Sequence, residues 1–249
     1  MRILVTNDDG FMAGGIRTLA TAARRLGHVD VVAPDREQSA TSHSLTLHYP
    51  LRVRQAEEHV QVVDGTPTDC VVLGLGELLD EKPDFVLSGV NHGANLGDDV
   101  LYSGTVAAAM EATILGIPSV ALSYTGHDHE NVPAWSDVLT RLLELLLMRG
   151  EFPGETLLNV NLPGVPPAAV RGVKVTTLGR RAYVGSLTRA QDPNGREYFW
   201  IGGGESRWWG AAESDFRAVH DGFISVTPLH LDLTNYKLLE AIGQWDLTL

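Results

Sequence analysis

The first thirty-four residues constrain the fold more than any other stretch. Ile3–Thr6 reads as a buried strand that starts almost at the first residue and stops at Asn7-Asp8-Asp9-Gly10. A helix over roughly Gly14–Leu26 follows, with Ile16, Leu19, Ala20 and Ala23 on one face and Gly27 as its stop. Val29–Ala33 is the next buried strand, ended by Pro34-Asp35. Strand, helix and strand within about 33 residues make a βαβ unit, whose two strands run parallel. A parallel sheet must be covered on both faces. The pattern then repeats: strands at Phe85–Ser88 and Ser119–Ser123 flank a helix over about Thr105–Leu115. An amphipathic helix runs from Ser136, taken as its N-cap, to Met148, ending at Arg149-Gly150. The fold class is α/β, a doubly wound, mostly parallel Rossmann-like sheet in three α/β/α layers.

The texture changes near residue 164. Pro163, Pro166 and Pro167 interrupt the helical rhythm, and Val173–Thr177 reads as a strand. Asp192-Pro193-Asn194-Gly195 reads as a hairpin turn before a strand at Glu197–Ile201, and Gly202-Gly203-Gly204 as a hinge. The division is a single domain, with residues 1–164 as the α/β core and 165–249 as a strand-rich arm and tail. The arm proper is read over residues 165–235. Such an arm has little core of its own, so it is expected to pack on another subunit.

Acidic residues outnumber basic ones 31 to 19, a formal charge of -12 that repels a nucleic-acid backbone. A polynucleotide partner is disfavoured, whereas a small anion can still bind beside a metal. The lone cysteine, Cys70, fits a reducing compartment and reads as a small buried hydrophobe. The first apolar run is too short for a signal peptide, and no apolar stretch reaches the roughly 20 residues of a membrane span. The expectation is a cytoplasmic protein with no membrane partner.

In parallel α/β sheets, ligands bind outside the carboxyl ends of the strands. Four polar clusters fall there. Asp8 and Asp9 in the turn after the first strand repel one another unless a cation or solvent relieves them, and hard oxygen ligands suit Mg²⁺, Mn²⁺ or Ca²⁺. A solvated, helix-capping turn is the alternative reading. Asp35–His43 is rich in hydroxyls, with His43 either a proton donor or a structural residue. Ser88–Gly97 offers glycines for close backbone approach and the side chains of Asn91 and Asn95. It is no P-loop, because no Gly-Lys-Ser/Thr follows. Tyr102-Ser103-Gly104-Thr105-Val106 opens a helix, where free N–H groups and hydroxyls make an anion site or simply an N-cap. A cation site and an anion site on one rim are what a phosphate monoester requires.

The segments Val5–Gly10, Ala33-Pro34-Asp35 through Ser39-Ala40, Gly65-Thr66-Pro67 with Asp69-Cys70, Ser88–Asn91 with Asn95-Leu96-Gly97, and Tyr102–Val106 resemble the SurE (survival protein E) family. Tyr198–Gly203 and Val226-Thr227-Pro228-Leu229 resemble it more loosely. The resemblance implies a metal-dependent 5′/3′-nucleotidase or acid phosphatase acting on nucleoside monophosphates, with short polyphosphate left open. It implies that Asp8, Asp9, Ser39 and Asn91 hold one divalent cation per subunit, Mg²⁺ or Mn²⁺. It implies that Asn95, Ser103, Gly104 and Thr105 hold the phosphate, and that subunits exchange C-terminal segments in a homodimer or homotetramer. The site chemistry makes Asp8 and Asp9 the catalytic candidates, one or the other orienting a water or accepting its proton. His92 is given no role.

Two competing readings stand beside this one. A non-catalytic, metal-dependent nucleotide-binding regulatory module has no evident need for a carboxylate-held metal. An aspartyl-phosphate mechanism would make Asp8 or Asp9 a nucleophile. A dinucleotide dehydrogenase is disfavoured, because no G-x-G-x-x-G follows the first strand. Trp208-Trp209 reads as core, interface or a lid, and His127–Glu130 as a solvated loop with metal ligation as the alternative.

Overall fold

A computed structural model describes residues 1–148, 152, 154–184, 187–201 and 205–247. Among the described residues, nine strands form one sheet in the order β3-β4-β2-β1-β5-β6-β7-β13-β8. The first half of the chain alternates β1 (Arg2–Thr6), α1 (Gly14–Ala23), β2 (His28–Pro34), β3 (Val53–Glu57), β4 (Val60–Val63) and α2 (Pro67–Leu73). Then come β5 (Phe85–His92), α3 (Gly104–Ile114), β6 (Ser119–Tyr124), α4 (Ser136–Leu147) and β7 (Thr156–Leu162). β1 pairs in parallel with both β2 and β5, and β5, β6 and β7 continue in parallel. The chain therefore winds outward through β2 and β4, then returns beside β1 with β5. That reversal makes the crevice between β1 and β5 the topological switch point.

Burial explains the layers. Ile16, Leu19, Ala20 and Ala23 of α1 join Leu139, Leu142 and Leu143 of α4 in one core against the sheet. Cys70 and Val71 of α2 and Ala108 and Ala112 of α3 form the second core on the opposite face. Cys70 is fully buried, and burial pushes its thiol pKa well up, so it behaves as a small apolar residue.

The α4 boundary differs from the expectation. Trp135 occupies the cap position in a helical conformation, because a 3₁₀ turn over His129–Trp135 runs straight into α4. Ser136 is the first helical residue and its hydroxyl makes no capping bond. The expected helix stop at Arg149-Gly150 and the hinge at Gly202–Gly204 lie outside the described residues.

Two parts of the chain beyond residue 164 return to the sheet. β8 (Val173–Val175) and β13 (Ile224–His230) complete it, β13 antiparallel to β7 and parallel to β8. The strand-rich excursion lies between them: β9 (Arg180–Val184), β10 (Leu187–Gln191), β11 (Glu197–Ile201) and β12 (Glu205–Trp209), followed by α5 (Asp215–His220). β10 and β11 form a hairpin around Asp192–Gly195, whose Asp192 side chain accepts from the Asn194 and Arg196 N–H groups. Phe199, Trp200 and Ile201 of this hairpin are exposed. α6 (Tyr236–Gly243) closes the chain with Leu238, Leu239 and Ile242 exposed as well. Among the described residues, no helix is long and apolar enough to cross a membrane.

Candidate active site

β1 delivers Asp8 and Asp9 to the switch-point crevice. Asp8 is buried; Thr105 at the start of α3 donates its N–H to Asp8 Oδ2 at 3.0 Å and its hydroxyl to Asp8 Oδ1. Asp9 Oδ2 accepts the His92 N–H at 3.0 Å, and His92 Nδ1 stands 3.8 Å from Asp9 Oδ1. Burial pushes both carboxyls up to about 6, only partly offset by these hydrogen bonds. Repulsion adds to it, from Asp9 at Asp8 and from Glu37 at Asp9.

β5 brings the next polar group. Its pairing with β6 slips between Ser88 and Asn91, where Gly89 has φ +135. A Cβ there would fall 2.2 Å from the Leu122 carbonyl oxygen, so the strand can bend at this point only with glycine. Asn91 emerges at the rim with its amide nitrogen on the Gly93 carbonyl at 2.9 Å. The loop after β2 carries Ser39, whose hydroxyl donates to Glu37 at 2.7 Å. That loop is tied down by the Gln38 N–H on the Asp8 carbonyl, and by His43 Nε2 at 2.8 Å from Glu111 Oε2. His43 therefore has a structural partner.

Ser103 caps α3 by accepting the Val106 N–H at 3.1 Å, and Gly104 packs on Asp8. Asn95 is clamped from β7: its N–H donates to Asn161 Oδ1, and its carbonyl accepts from Asn159 and Asn161. Its own amide nitrogen donates to Ser123 at 2.8 Å. A cavity of about 630 Å³ gathers Asp8, Ser39, Asn91, Asn95 and Ser103, and extends to Tyr102 and Arg181. Ile201 of the hairpin reaches its edge.

Of the eight residues singled out from the sequence, Asp8, Ser39, Asn91, Asn95 and Ser103 line the cavity, Gly104 and Thr105 stand against Asp8 with both Thr105 donors directed to it, and Asp9 accepts the His92 N–H. Sequence reasoning missed Asn159, Asn161, Arg181 and Asp215. Asn159 and Asn161 alternate inside the mostly apolar strand Thr156–Leu162, a period-two polar signal that could have marked them. Asp215 accepts the N–H groups of Gly97 and Gly179, joining the Asn95 loop to the base of β9; burial raises its pKa. Arg181 pairs with Asp99 and lies over the Trp208 ring, which stacks on Phe216 at 5.4 Å. Trp208 is therefore packed, while Trp209 is exposed. His129 stacks on His92 with centroids 4.6 Å apart.

Residues 3–185 match the family model described as Survival protein SurE. The chain belongs to the SurE family. A relative from Gemmatimonas aurantiaca, named 5′-nucleotidase SurE, is 56% identical over 98% of each chain. One of the same name from Geobacter sulfurreducens is 53% identical, covering 100% of this chain and 95% of its own. The crystal structure of a SurE protein from Aquifex aeolicus matches with a TM-score of 0.87 at 44% identity, over 98% of each chain. The SurE fold thus extends through the arm and the returning strand β13.

The donor set fits a hard divalent cation. Asp8, Asp9, Ser39 and Asn91 present carboxylate, hydroxyl and amide oxygens, the chemistry Mg²⁺ and Mn²⁺ prefer. Adjacent carboxyls, Asp8 buried and Asp9 partly buried, both with raised pKa values, are the arrangement that a bound cation relieves.

Proposed function

We propose that the chain hydrolyses nucleoside 5′-monophosphates to nucleoside and phosphate with the help of one Mg²⁺ or Mn²⁺ per subunit. The observation that carries this is the juxtaposition of Asp8, next in sequence to Asp9, with the N-terminus of α3 at the cavity. The names of the relatives support the nucleotidase class.

Asp8, Asp9, Ser39 and Asn91 would hold the cation. When bound, it supplies charge neutralisation on the phosphate and acidifies water. Asp8 or Asp9 orients the attacking water or accepts its proton. The phosphate rests at the N-terminus of α3, where Ser103 and Gly104 offer a hydroxyl and backbone N–H groups, with Asn95 across from them. Thr105 contributes by holding Asp8 against that position. A volume of about 630 Å³ lies in the range of small-molecule sites, large enough for a nucleoside monophosphate. The same site chemistry extends the proposal to 3′-monophosphates and short polyphosphate.

The reading includes a homodimer or homotetramer assembled through the segment after residue 164. The exposed apolar hairpin β10–β11 and helix α6 support it. A cytoplasmic setting accords with the single buried thiol.

Phosphate release from a panel of nucleoside monophosphates, with EDTA, Mg²⁺ and Mn²⁺ compared, tests the proposal. Release that EDTA abolishes and metal restores supports it. Metal-dependent nucleotide binding without release would leave a binding module instead.

A further inference from the structure

The end of the sheet opposite the cavity holds a second cluster of ligating side chains. β2 begins with His28 and carries Asp30 two residues later, so the two side chains share one face. The turn between β3 and β4 places His59 beside them, because β2 and β4 pair in parallel with Val31 opposite Val60. His28 Nε2 lies 3.1 Å from Asp30 Oδ2, and His59 Nδ1 lies 3.0 Å from Asp30 Oδ1. The two imidazoles meet edge to face at 4.6 Å. His59 adopts φ +58, a left-handed conformation uncommon outside glycine, with its carbonyl accepting from Val31 at 2.8 Å.

We infer that His28, Asp30 and His59 form a second metal site, for a transition dication of the Zn²⁺ type. One ligand atom from each of the three residues lies within 4.8 Å of the other two. Zinc bonds of about 2.0–2.1 Å to nitrogen and oxygen put tetrahedral ligands roughly 3.3 Å apart, so the Asp30 contacts already have nearly the right separation. The wider imidazole gap closes by side-chain rotation, which half-exposed rings permit. Two imidazoles and one carboxylate, with a position left for water, suit Zn²⁺ and disfavour Mg²⁺, the reverse of the oxygen set at Asp8 and Asp9. Glu58 Oε1 stands 3.8 Å from His59 Nε2, so the ring nitrogen that does not ligate faces a carboxylate. Asp80 and Glu81 line the same hollow, which makes it attractive to a cation even with Arg2 present. β2 spans roughly 20 Å at the strand rise, so this site is separate from the cavity at its other end. Bound there, the ion would tie the β3–β4 hairpin to the edge of β2.

The test is equilibrium dialysis of Zn²⁺ against the untagged full chain in excess Mg²⁺, for the wild type, His59→Gly and His28→Gln. Glycine at 59 removes the ligand while accommodating the left-handed turn, so the fold is retained. Each variant should bind one Zn²⁺ fewer than the wild type and lose the Zn²⁺-dependent rise in Tm. Phosphate release in Mg²⁺ should be unchanged. Cu²⁺ on the wild type should show electron-spin coupling to two nitrogens, absent in the variants. Equal stoichiometry in all three proteins, or Cu²⁺ coupled to no nitrogen, would overturn the inference and leave a hydrogen-bonded His–Asp–His cluster.

Discussion

Thr105 donates both its backbone N–H and its hydroxyl to the two carboxylate oxygens of Asp8, across 97 residues of sequence. The threonine therefore aims the carboxylate and favours its charged form. Thr105→Val keeps the shape and removes the hydroxyl. Metal affinity and kcat/KM should fall about 10- to 100-fold, the range for partners that orient metal ligands. Thr105→Ser should retain most of both. Metal titration and steady-state kinetics on folded protein check this, and a full-activity valine variant would contradict the assignment.

Gly104 leaves no room for a side chain against Asp8. A Cβ would lie 3.0 Å from Asp8 Cβ and Oδ2 and 3.1 Å from Thr41 Oγ1. Gly104→Ala should therefore push Asp8 out of line by a few tenths of an ångström. The expected cost is about 1–3 kcal/mol of stability, typical of overpacking, together with loss of most of the activity. Calorimetry and kinetics measure the two effects separately.

The raised carboxyl pKa values set a pH signature. Asp8 and Asp9 go from 3.8 to about 6 on folding. In EDTA the folded form binds protons more tightly, so their contribution to stability is present below 3.8 and is lost as pH rises through about 6. Metal must displace those protons, so its affinity should weaken as pH falls below about 6. Thermal melts across this range, with EDTA and with Mn²⁺, should diverge as pH rises. Asp8→Asn with Asp9→Asn should flatten the EDTA curve; an unchanged curve would rule out these two groups.

Asn161 accepts the Asn95 N–H at 2.9 Å and donates to the Asn95 carbonyl at 3.0 Å, all in buried surroundings. Asn161→Ala strands the Asn95 N–H, which costs about 1–3 kcal/mol when no replacement partner is found, while the Asn95 carbonyl keeps its bond from Asn159. The variant should melt lower and show a raised KM for nucleotide, since Asn95 lines the cavity. A raised KM without any change in Tm would argue against the clamp.

Replacing residues 187–201 with a short linker removes the exposed apolar hairpin. Light scattering should then report a smaller oligomer than the wild type. An unchanged oligomer would leave α6 as the assembly element and refute a role for the hairpin.

The parallel core was legible because its information is local. Ile3–Thr6, the turn Asn7–Gly10 and the face of α1 each announce themselves within a few residues, and a βαβ unit allows few alternatives. The turn Asp192–Gly195 was legible for the same reason, since its residue types belong to tight turns. β3 was not, because an edge strand with exposed Arg54, Gln55 and Glu57 lacks an apolar run, and β4, only Val60–Val63, is too short to stand out by itself. β13 was hidden by Pro228, which breaks a strand pattern on sight. The strand tolerates it because β8 pairs with β13 only over Ile224–Val226. From Pro228 onward, β13 has a ladder partner on the β7 side alone among the described residues.

By itself the sequence determined the parallel α/β architecture, the rim on which the polar clusters fall and the hard-oxygen character of the Asp8–Asp9 turn. Those follow from periodicity, strand ends and side-chain type, which need no long-range geometry. Only the tertiary structure decided how those groups act on one another. It turned Thr105 onto Asp8, set Asn159 and Asn161 around Asn95, and brought His59 to His28 and Asp30 at the far end of the sheet. Such contacts join residues tens of positions apart, and their partners are chosen by sheet order and packing rather than by any local pattern.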